Sequence, residues 1–138
     1  MACREKERCR LGLHSEWLTE GTSHYRLACP SDHEGGPGVA HGGWTAGVLD
    51  EILGHVPLMH DQMCVTATLS VRFVKPVPIE VSLVGLARVD HIDGAKWSLS
   101  GELLLASSGA VLAIGTGVWV ARDAAQHLAA FETWLAEQ

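Results

Sequence analysis

The distribution of apolar residues divides the chain into one helical segment and a long β-patterned region that follows it. Between about Gly43 and Val56, apolar side chains recur at three- and four-residue spacing, which predicts a helix that Pro57 ends. Few polar residues interrupt this segment, so we expect the helix to be buried on nearly all sides. The rest of the chain must therefore wrap around it.

Alternation with a period of two predicts strands in most of the remaining chain. The predicted strands cover residues 24–29, 65–73, 79–89, 96–106 and 110–120. The dipeptide Asp93-Gly94 is typical of a tight hairpin turn between the third and fourth of them. A closing helix is predicted over residues 124–136, with Asp123 as its N-cap.

This order of elements predicts an α+β fold in which a twisted antiparallel sheet curls around a central helix. We expect residues 1–20, which are rich in charge, to form a peripheral segment, and residues 21–138 to form a single domain. One helix on one face would leave apolar surface of the sheet uncovered. We therefore also expect a homodimer.

Composition and charge narrow the class of function. The net charge of -6, from 10 Lys and Arg against 16 Asp and Glu, disfavours binding to nucleic acid. No stretch is long and apolar enough to span a membrane, and no apolar run follows the first charged residues as it would in a signal peptide. We expect a cytoplasmic protein with neither a membrane nor a nucleic-acid partner.

The cysteines and histidines predict no metal site. The cysteines are Cys3, Cys9, Cys29 and Cys64, and no two of them form a C-x-x-C pair. In a reducing compartment they are expected to be free thiols. His55 and His60, near Asp61, are interpreted as solvated loop residues and not as metal ligands.

Asp50 is the first candidate for chemistry, because an unpaired charge within an apolar helix is unfavourable. Its neighbours on the same helical face, Ala46, Gly47 and Gly54, are small and would leave a hollow beside the carboxylate. A substrate in that hollow would make Asp50 a nucleophile or a general base. Alternatively, Asp50 is a structural residue at a subunit interface, where hydrogen bonds satisfy its carboxylate.

Gly42 and Gly43 lie where the predicted helix begins, directly after His41. The first N–H groups of a helix lack internal partners and carry partial positive charge, so they can polarise a carbonyl oxygen that approaches the backbone closely. The alternative is an ordinary loop-to-helix turn. We interpret His41 as a residue that supports this loop.

Further polar positions complete the set of candidates. Glu51 faces His55 one helical turn later, and we interpret this as a structural pair. Thr66 is predicted on the polar side of its strand together with Arg72, and its hydroxyl is a candidate for positioning water. Arg72 and Lys75 are candidates for contact with the phosphates of a large anionic substrate, or else solvated charges.

The segment His41–Asp50 resembles the motif of the hot-dog-fold acyl-CoA thioesterases related to the phenylacetate-pathway (PaaI-like) enzymes: His-Gly-Gly, six variable residues, then Asp or Glu. A second segment, in which Thr66 precedes Pro76 by ten residues, is similar to the next strand of that family. The resemblance extends from about residue 24 to residue 120. It implies the hot-dog fold and the hydrolysis of acyl thioesters, with coenzyme A as part of the substrate and no separate cofactor.

The resemblance also implies roles for individual residues. Asp50 matches the catalytic carboxylate, which attacks the thioester or activates water, and Thr66 matches the hydroxyl that helps to place that water. Gly42 matches the glycine whose N–H polarises the thioester carbonyl, and His41 matches the histidine that supports the loop. In this family the glycine comes from the other subunit of a dimer, and dimers often pair into tetramers.

The chain departs from the family at Gly35, where many members carry Asn or Gln that contacts the thioester. Some relatives with a Gly-x-Pro-Gly loop before the motif also lack this amide, and some of these act on longer acyl chains. A fatty acyl substrate is therefore expected, carried by coenzyme A or by a carrier protein. Two alternatives remain open: a non-catalytic acyl-CoA-binding module, and a hot-dog hydratase or dehydratase.

Overall fold

A computed structural model describes residue 9 and residues 11–138 as an antiparallel sheet with two α-helices. The strands are β1 (Leu13–Thr19), β2 (Thr22–Leu27), β3 (Cys64–Phe73), β4 (Leu83–Asp93), β5 (Lys96–Leu105) and β6 (Val111–Ala121), and the helices are α1 (Gly42–Leu58) and α2 (Ala124–Ala136). The strand order is β1-β2-β4-β5-β6-β3, and every neighbouring pair is antiparallel. Strands β1 and β3 are therefore the two edges of the sheet.

Helix α1 packs against β3, β4, β5 and β6, and its apolar side chains form the centre of the core. Its fully buried residues are Val48, Leu49, Ile52, Leu53 and Val56. Removing each from water stabilises the fold by roughly 1.5–3 kcal/mol. The prediction of a central helix with a sheet packed around it is thus confirmed.

The end of α1 differs from the prediction. The helix continues to Leu58 and contains Pro57 in its last turn, so the expectation that Pro57 ends the helix was wrong. Proline removes one backbone donor, but the next residues restore the hydrogen-bonding pattern, since the Met59 N–H donates to the His55 carbonyl at 3.0 Å.

Strand β1 was not predicted from the sequence, which gave no element before residue 24. The strand lies at the edge of the sheet, where most of its side chains are exposed and only Leu13 is buried, so no clear alternation of apolar residues marks it. Its backbone pairs with β2 from Leu13 to Thr19. The expected peripheral segment therefore contains a strand, while residues 1–8 and 10, with Cys3, lie outside the described residues.

The other strand boundaries lie within two residues of the predicted ones, except at β4, which runs from Leu83 to Asp93 and not from residue 79 to residue 89. The predicted turn after Asp93 is present, and Gly94 adopts a φ of 57° there, which glycine tolerates best. Helix α2 has the predicted bounds, and the Asp123 side chain caps it by accepting a hydrogen bond from the Gln126 N–H at 2.9 Å.

Helix α2 packs very little against the rest of the chain, and none of its residues is buried. Its large apolar side chains are Leu128, Phe131, Trp134 and Leu135, each at least 50% exposed. These residues follow the three- and four-residue spacing of a single helical face. We refer to them as the α2 apolar face.

The described cysteines, Cys9, Cys29 and Cys64, are free thiols, as expected. Burial, and secondarily the charge of Asp32, raises the pKa of Cys29 to about 11. Burial also raises the pKa of Cys64. Since the thiolate is the reactive form, both thiols are protected from alkylation near neutral pH.

We expect Cys29 in the native protein to react with iodoacetamide about 100-fold more slowly at pH 8 than in the urea-unfolded protein, because its higher pKa lowers the thiolate fraction. The native rate should rise as the pH increases toward 11. Peptide mass spectrometry of alkylation time courses measures both rates. Equal alkylation rates in the native and the unfolded protein would contradict the raised pKa of Cys29.

Candidate active site

Helix α1 begins with a hydrogen bond between His41 and the motif glycines. The Gly43 N–H donates to the His41 Nδ1 at 2.8 Å, so the histidine side chain caps the helix. A Cβ atom at Gly43 would lie 2.9 Å from the same nitrogen. The missing side chain of Gly43 therefore permits the cap, and His41 holds the loop in the geometry that precedes the helix.

Gly42 is exposed at the first position of α1, where no residue of the helix accepts its N–H. The Phe73 ring lies 3.7 Å from the position that a Gly42 Cβ would occupy. The end of β3 and the start of α1 therefore meet at one place. A carbonyl oxygen that approached the backbone there would meet a free N–H donor and the positive end of the helix dipole.

Asp50 and Thr66 are in direct contact at the other end of β3. The Thr66 hydroxyl donates a hydrogen bond to Asp50 Oδ1 at 2.7 Å. Asp50 is half-buried on α1, and Thr66 is exposed on the edge strand. The hydrogen bond holds one oxygen of the carboxylate and so fixes its orientation.

A β-bulge in β3 makes this contact possible. Thr66 pairs with Trp119 of β6, but the next pair is Thr68 with Val118, so Ala67 is an extra residue without a partner. Because side chains alternate along a strand, one extra residue reverses the alternation.

The bulge corrects the predicted orientation of Thr66. Strict alternation places Thr66 on the polar face together with Arg72, whereas the observed register places Thr66 on the helix-facing side with Leu69. Arg72 pairs with Ile114 and stays on the other side. The sequence holds no glycine or proline at Ala67 that would have indicated the bulge.

The hollow predicted around Asp50 exists on one side only. A Cβ at Gly47 would have no atom within 4 Å, so this side is open. A Cβ at Gly54 would lie 3.5 Å from Trp119 Nε1, so the indole occupies that side. The Trp119 indole therefore lies against Gly54, and the role of Gly54 in lining a substrate site stays a prediction.

Gly42 and Asp50 lie too far apart to act on one thioester within a single chain. They are eight residues apart on α1, which corresponds to about 12 Å along the helix axis. Arg72 and Lys75 are exposed near the Gly42 end, and Arg72 lies roughly 20 Å along β3 from Thr66. The candidate residues of one chain thus form two separate groups.

The predicted pair of Glu51 and His55 is confirmed, with Glu51 Oε1 lying 3.0 Å from His55 Nε2. The interpretation of His55 as a solvated loop residue was wrong, because it is only 5% exposed and its Nδ1 lies 2.9 Å from Glu16 Oε2. His55 therefore connects β1 to α1 behind Asp50. His60 Nδ1 donates to the Val56 carbonyl at 2.9 Å.

No helix within the described residues is long and apolar enough to cross a membrane. In the same part of the chain, no group of three or more His, Cys, Asp or Glu side chains is arranged to hold a metal ion.

Replacing Thr66 by valine is expected to lower kcat/KM of the activity proposed below about tenfold, because one hydrogen bond to a charged carboxylate is lost. Thr66→Ser keeps the hydroxyl and should retain most of the activity. Steady-state kinetics of both variants test the role. If serine and valine reduced kcat/KM equally, the hydroxyl would have no part in the reaction.

The family model of the thioesterase superfamily matches residues 37–112. A solved thioesterase superfamily protein is 29% identical, with a TM-score of 0.70; the match covers 78% of this chain and 54% of that chain, so this chain spans about half of its length. The Escherichia coli PaaI protein from the phenylacetic acid degradation operon is 17% identical, with a TM-score of 0.76 and coverage of 89% and 86%.

A hypothetical thioesterase from Streptococcus pneumoniae TIGR4, solved with coenzyme A, is also similar, at 17% identity, a TM-score of 0.73 and coverage of 79% and 87%. Two further structures of the S. pneumoniae thioesterase carry alanine in place of one aspartate and of one threonine, sixteen positions apart. These likenesses confirm the predicted hot-dog fold and the resemblance to the phenylacetate-pathway thioesterases.

Proposed function

Because the chain belongs to the thioesterase superfamily, we propose that it hydrolyses acyl thioesters of coenzyme A to the free acid and coenzyme A, with Asp50 as the catalytic carboxylate. The observation that carries this proposal is the 2.7 Å hydrogen bond between Thr66 and Asp50. These two residues are sixteen positions apart. The aspartate and threonine substituted in the S. pneumoniae thioesterase have the same spacing, which supports the choice of residues.

The geometry suits two forms of the reaction. In the first, Asp50 removes a proton from water while the water oxygen attacks the thioester carbonyl carbon; the C–S bond then breaks, and the departing sulfur takes up the proton. In the second, the Asp50 carboxylate attacks the carbonyl carbon, the C–S bond breaks, and the departing thiolate takes a proton from solvent. Water then hydrolyses the resulting anhydride to the free acid and restores the Asp50 carboxylate. Thr66 orients the carboxylate in both, and its position next to Asp50 also suits the placement of water.

The site requires two chains, because about 12 Å separates Gly42 from Asp50 along α1. Strand β3 is an edge of the sheet, and antiparallel pairing of two β3 strands about a two-fold axis would place the start of one beside the end of the other. Asp50 and Thr66 would then face Gly42 of the partner subunit, whose N–H polarises the thioester carbonyl. The proposed assembly is a homodimer, and pairing of dimers into a tetramer stays a prediction.

Coenzyme A would lie toward the Gly42 end, where Arg72 and Lys75 provide positive charge for its phosphates. The Gly35 loop is closed on itself, since the Gly35 N–H donates to the Val39 carbonyl at 2.7 Å and a Cβ at Gly35 would lie 3.0 Å from His41 Cα. A larger amide at residue 35 would therefore disturb the loop. The loop is therefore suited to glycine at residue 35. A fatty acyl substrate, a cytoplasmic role and the lack of a separate cofactor stay predictions.

The test is incubation of the purified protein with short, medium, long and aromatic acyl-CoAs, followed by chromatography of both products. Equal amounts of free acid and coenzyme A are expected, with the fastest release from the longer acyl chains. Hydration of an enoyl-CoA without release of coenzyme A would favour the hydratase alternative. Tight binding of acyl-CoA without turnover would favour an acyl-CoA-binding module. Turnover of acyl-carrier-protein esters alone would show that the substrate is carried by a protein and not by coenzyme A.

A further inference from the structure

The α2 apolar face has no packing partner among the described residues of its own chain. Its four large side chains are 50–56% exposed, and α2 makes almost no contact with the described residues. The Phe131 and Trp134 rings stack on each other at 6.2 Å, which adds to a continuous apolar surface. A face of this size on a soluble domain indicates a binding surface.

Helix α2 begins at the Asp50 end of β3. The Arg122 N–H donates to the Met63 carbonyl at 3.0 Å, directly before β3 starts, and α2 follows two residues later. With 13 residues α2 is about 20 Å long, whereas neighbouring strands lie about 5 Å apart. The helix is therefore long enough to extend over a strand that pairs with β3.

An unpartnered apolar surface also exists at the opposite end of β3. Phe73 is 57% exposed and Val74 is 39% exposed, next to Gly42. Arg72 and Lys75 flank these two residues with positive charge. Helix α2 contains Glu132 and no lysine or arginine, so it can lie beside Arg72 and Lys75 without repulsion between like charges.

We propose that α2 packs its apolar face over Phe73 and Val74 of the partner subunit, so that each subunit contributes α2 as a wall beside the Gly42 end of the other subunit's site. This inference rests on the proposed β3-paired homodimer. Antiparallel pairing of β3 brings the start of one α2 next to the end of the partner's β3. The occupant of the α2 apolar face is thus a second copy of this chain, bound at the place where the substrate enters.

The test uses the full chain with the photo-crosslinker p-benzoylphenylalanine in place of Phe131. The matched control carries it in place of Thr133, which lies two residues later and about 200° further round the helix. A mixture of ¹⁴N- and ¹⁵N-labelled protein is irradiated, and mass spectrometry identifies the crosslinked peptides. We expect a mixed-isotope product between α2 and the peptide containing Phe73, in roughly tenfold higher yield than from the Thr133 position, since crosslinking requires contact.

Three results would overturn the inference: a crosslink only within one chain, a yield no higher than that of the control, or co-sedimentation of α2 with phosphatidylglycerol vesicles in place of the intermolecular product. Light scattering and acyl-CoA hydrolysis are measured on the same samples. A hydrolysing dimer without the crosslink would refute the role of α2 alone. A crosslinked dimer without hydrolysis would refute the proposed function alone.

Discussion

Replacing Asp50 by asparagine should lower kcat for the proposed hydrolysis of acyl-CoA by about 10³, because the amide can neither attack the thioester nor accept a proton from water. Asparagine has almost the same shape as aspartate and keeps an oxygen that accepts the Thr66 hydrogen bond. The fold and the proposed dimer should therefore be unchanged. Product chromatography under saturating acyl-CoA measures the loss, and circular dichroism checks the fold.

Glu51→Gln is the matched control, since Glu51 is the adjacent carboxylate on the same helix. It contacts His55 and not Thr66, so its loss should change kcat by less than about twofold even if the stability falls slightly. A large loss in Glu51→Gln together with an active Asp50→Asn variant would show that the wrong carboxylate has been assigned. Full activity in both variants would show that neither Asp50 nor Glu51 acts as a catalytic carboxylate.

Replacing Gly117 by alanine should lower the free energy of unfolding by about 3 kcal/mol, which corresponds to a decrease in Tm of roughly 10 °C. A Cβ atom at Gly117 would lie 2.2 Å from the Thr68 carbonyl oxygen and 2.9 Å from the Trp119 ring. The first neighbour is backbone next to the bulge, so it can move only by distorting the pairing of β3 with β6. The change should also disturb Thr66 and lower activity in the folded fraction.

Gly115→Ala, on the same strand and face, provides the comparison. There the new Cβ would meet the flexible ends of Leu53 and Leu49 at 3.3–3.4 Å, which can move aside. Urea unfolding of both variants should show a clearly smaller effect for Gly115→Ala. Similar destabilisation of the two would mean that the crowded backbone at the bulge has no special importance.

Much of the fold could be predicted because its core follows simple periodicities. The spacing of Val48, Ile52 and Val56 predicted a buried helix, and the alternation in β3 to β6 predicted the sheet. Strand β1 escaped detection because an edge strand forms through backbone pairing and needs few buried side chains. The partly buried contact of β1 with the helix, from Glu16 to His55, joins residues that are far apart in sequence.

The candidate site was predicted only in part. The motif placed Asp50 on a helix, and the helical spacing correctly paired Glu51 with His55. Only the family resemblance placed Thr66 beside Asp50, because strict alternation along the strand predicts that Thr66 lies on the opposite face. The filling of the Gly54 side by Trp119 depends on β6 lying beside β3, a pairing between segments about fifty residues apart that local patterns do not reveal.

The extra residue in β3 determines the orientation of Thr66 without determining how the rest of the strand packs against the core. Deleting Ala67 would leave Leu69 and Val71 opposite the same β6 partners, yet it would turn Thr66 away from α1. A relative shorter by one residue here could therefore keep the fold and lose the reaction. Sequence alignments that assume one uninterrupted strand would miss this distinction, so we expect the extra residue to mark the relatives that share the proposed reaction.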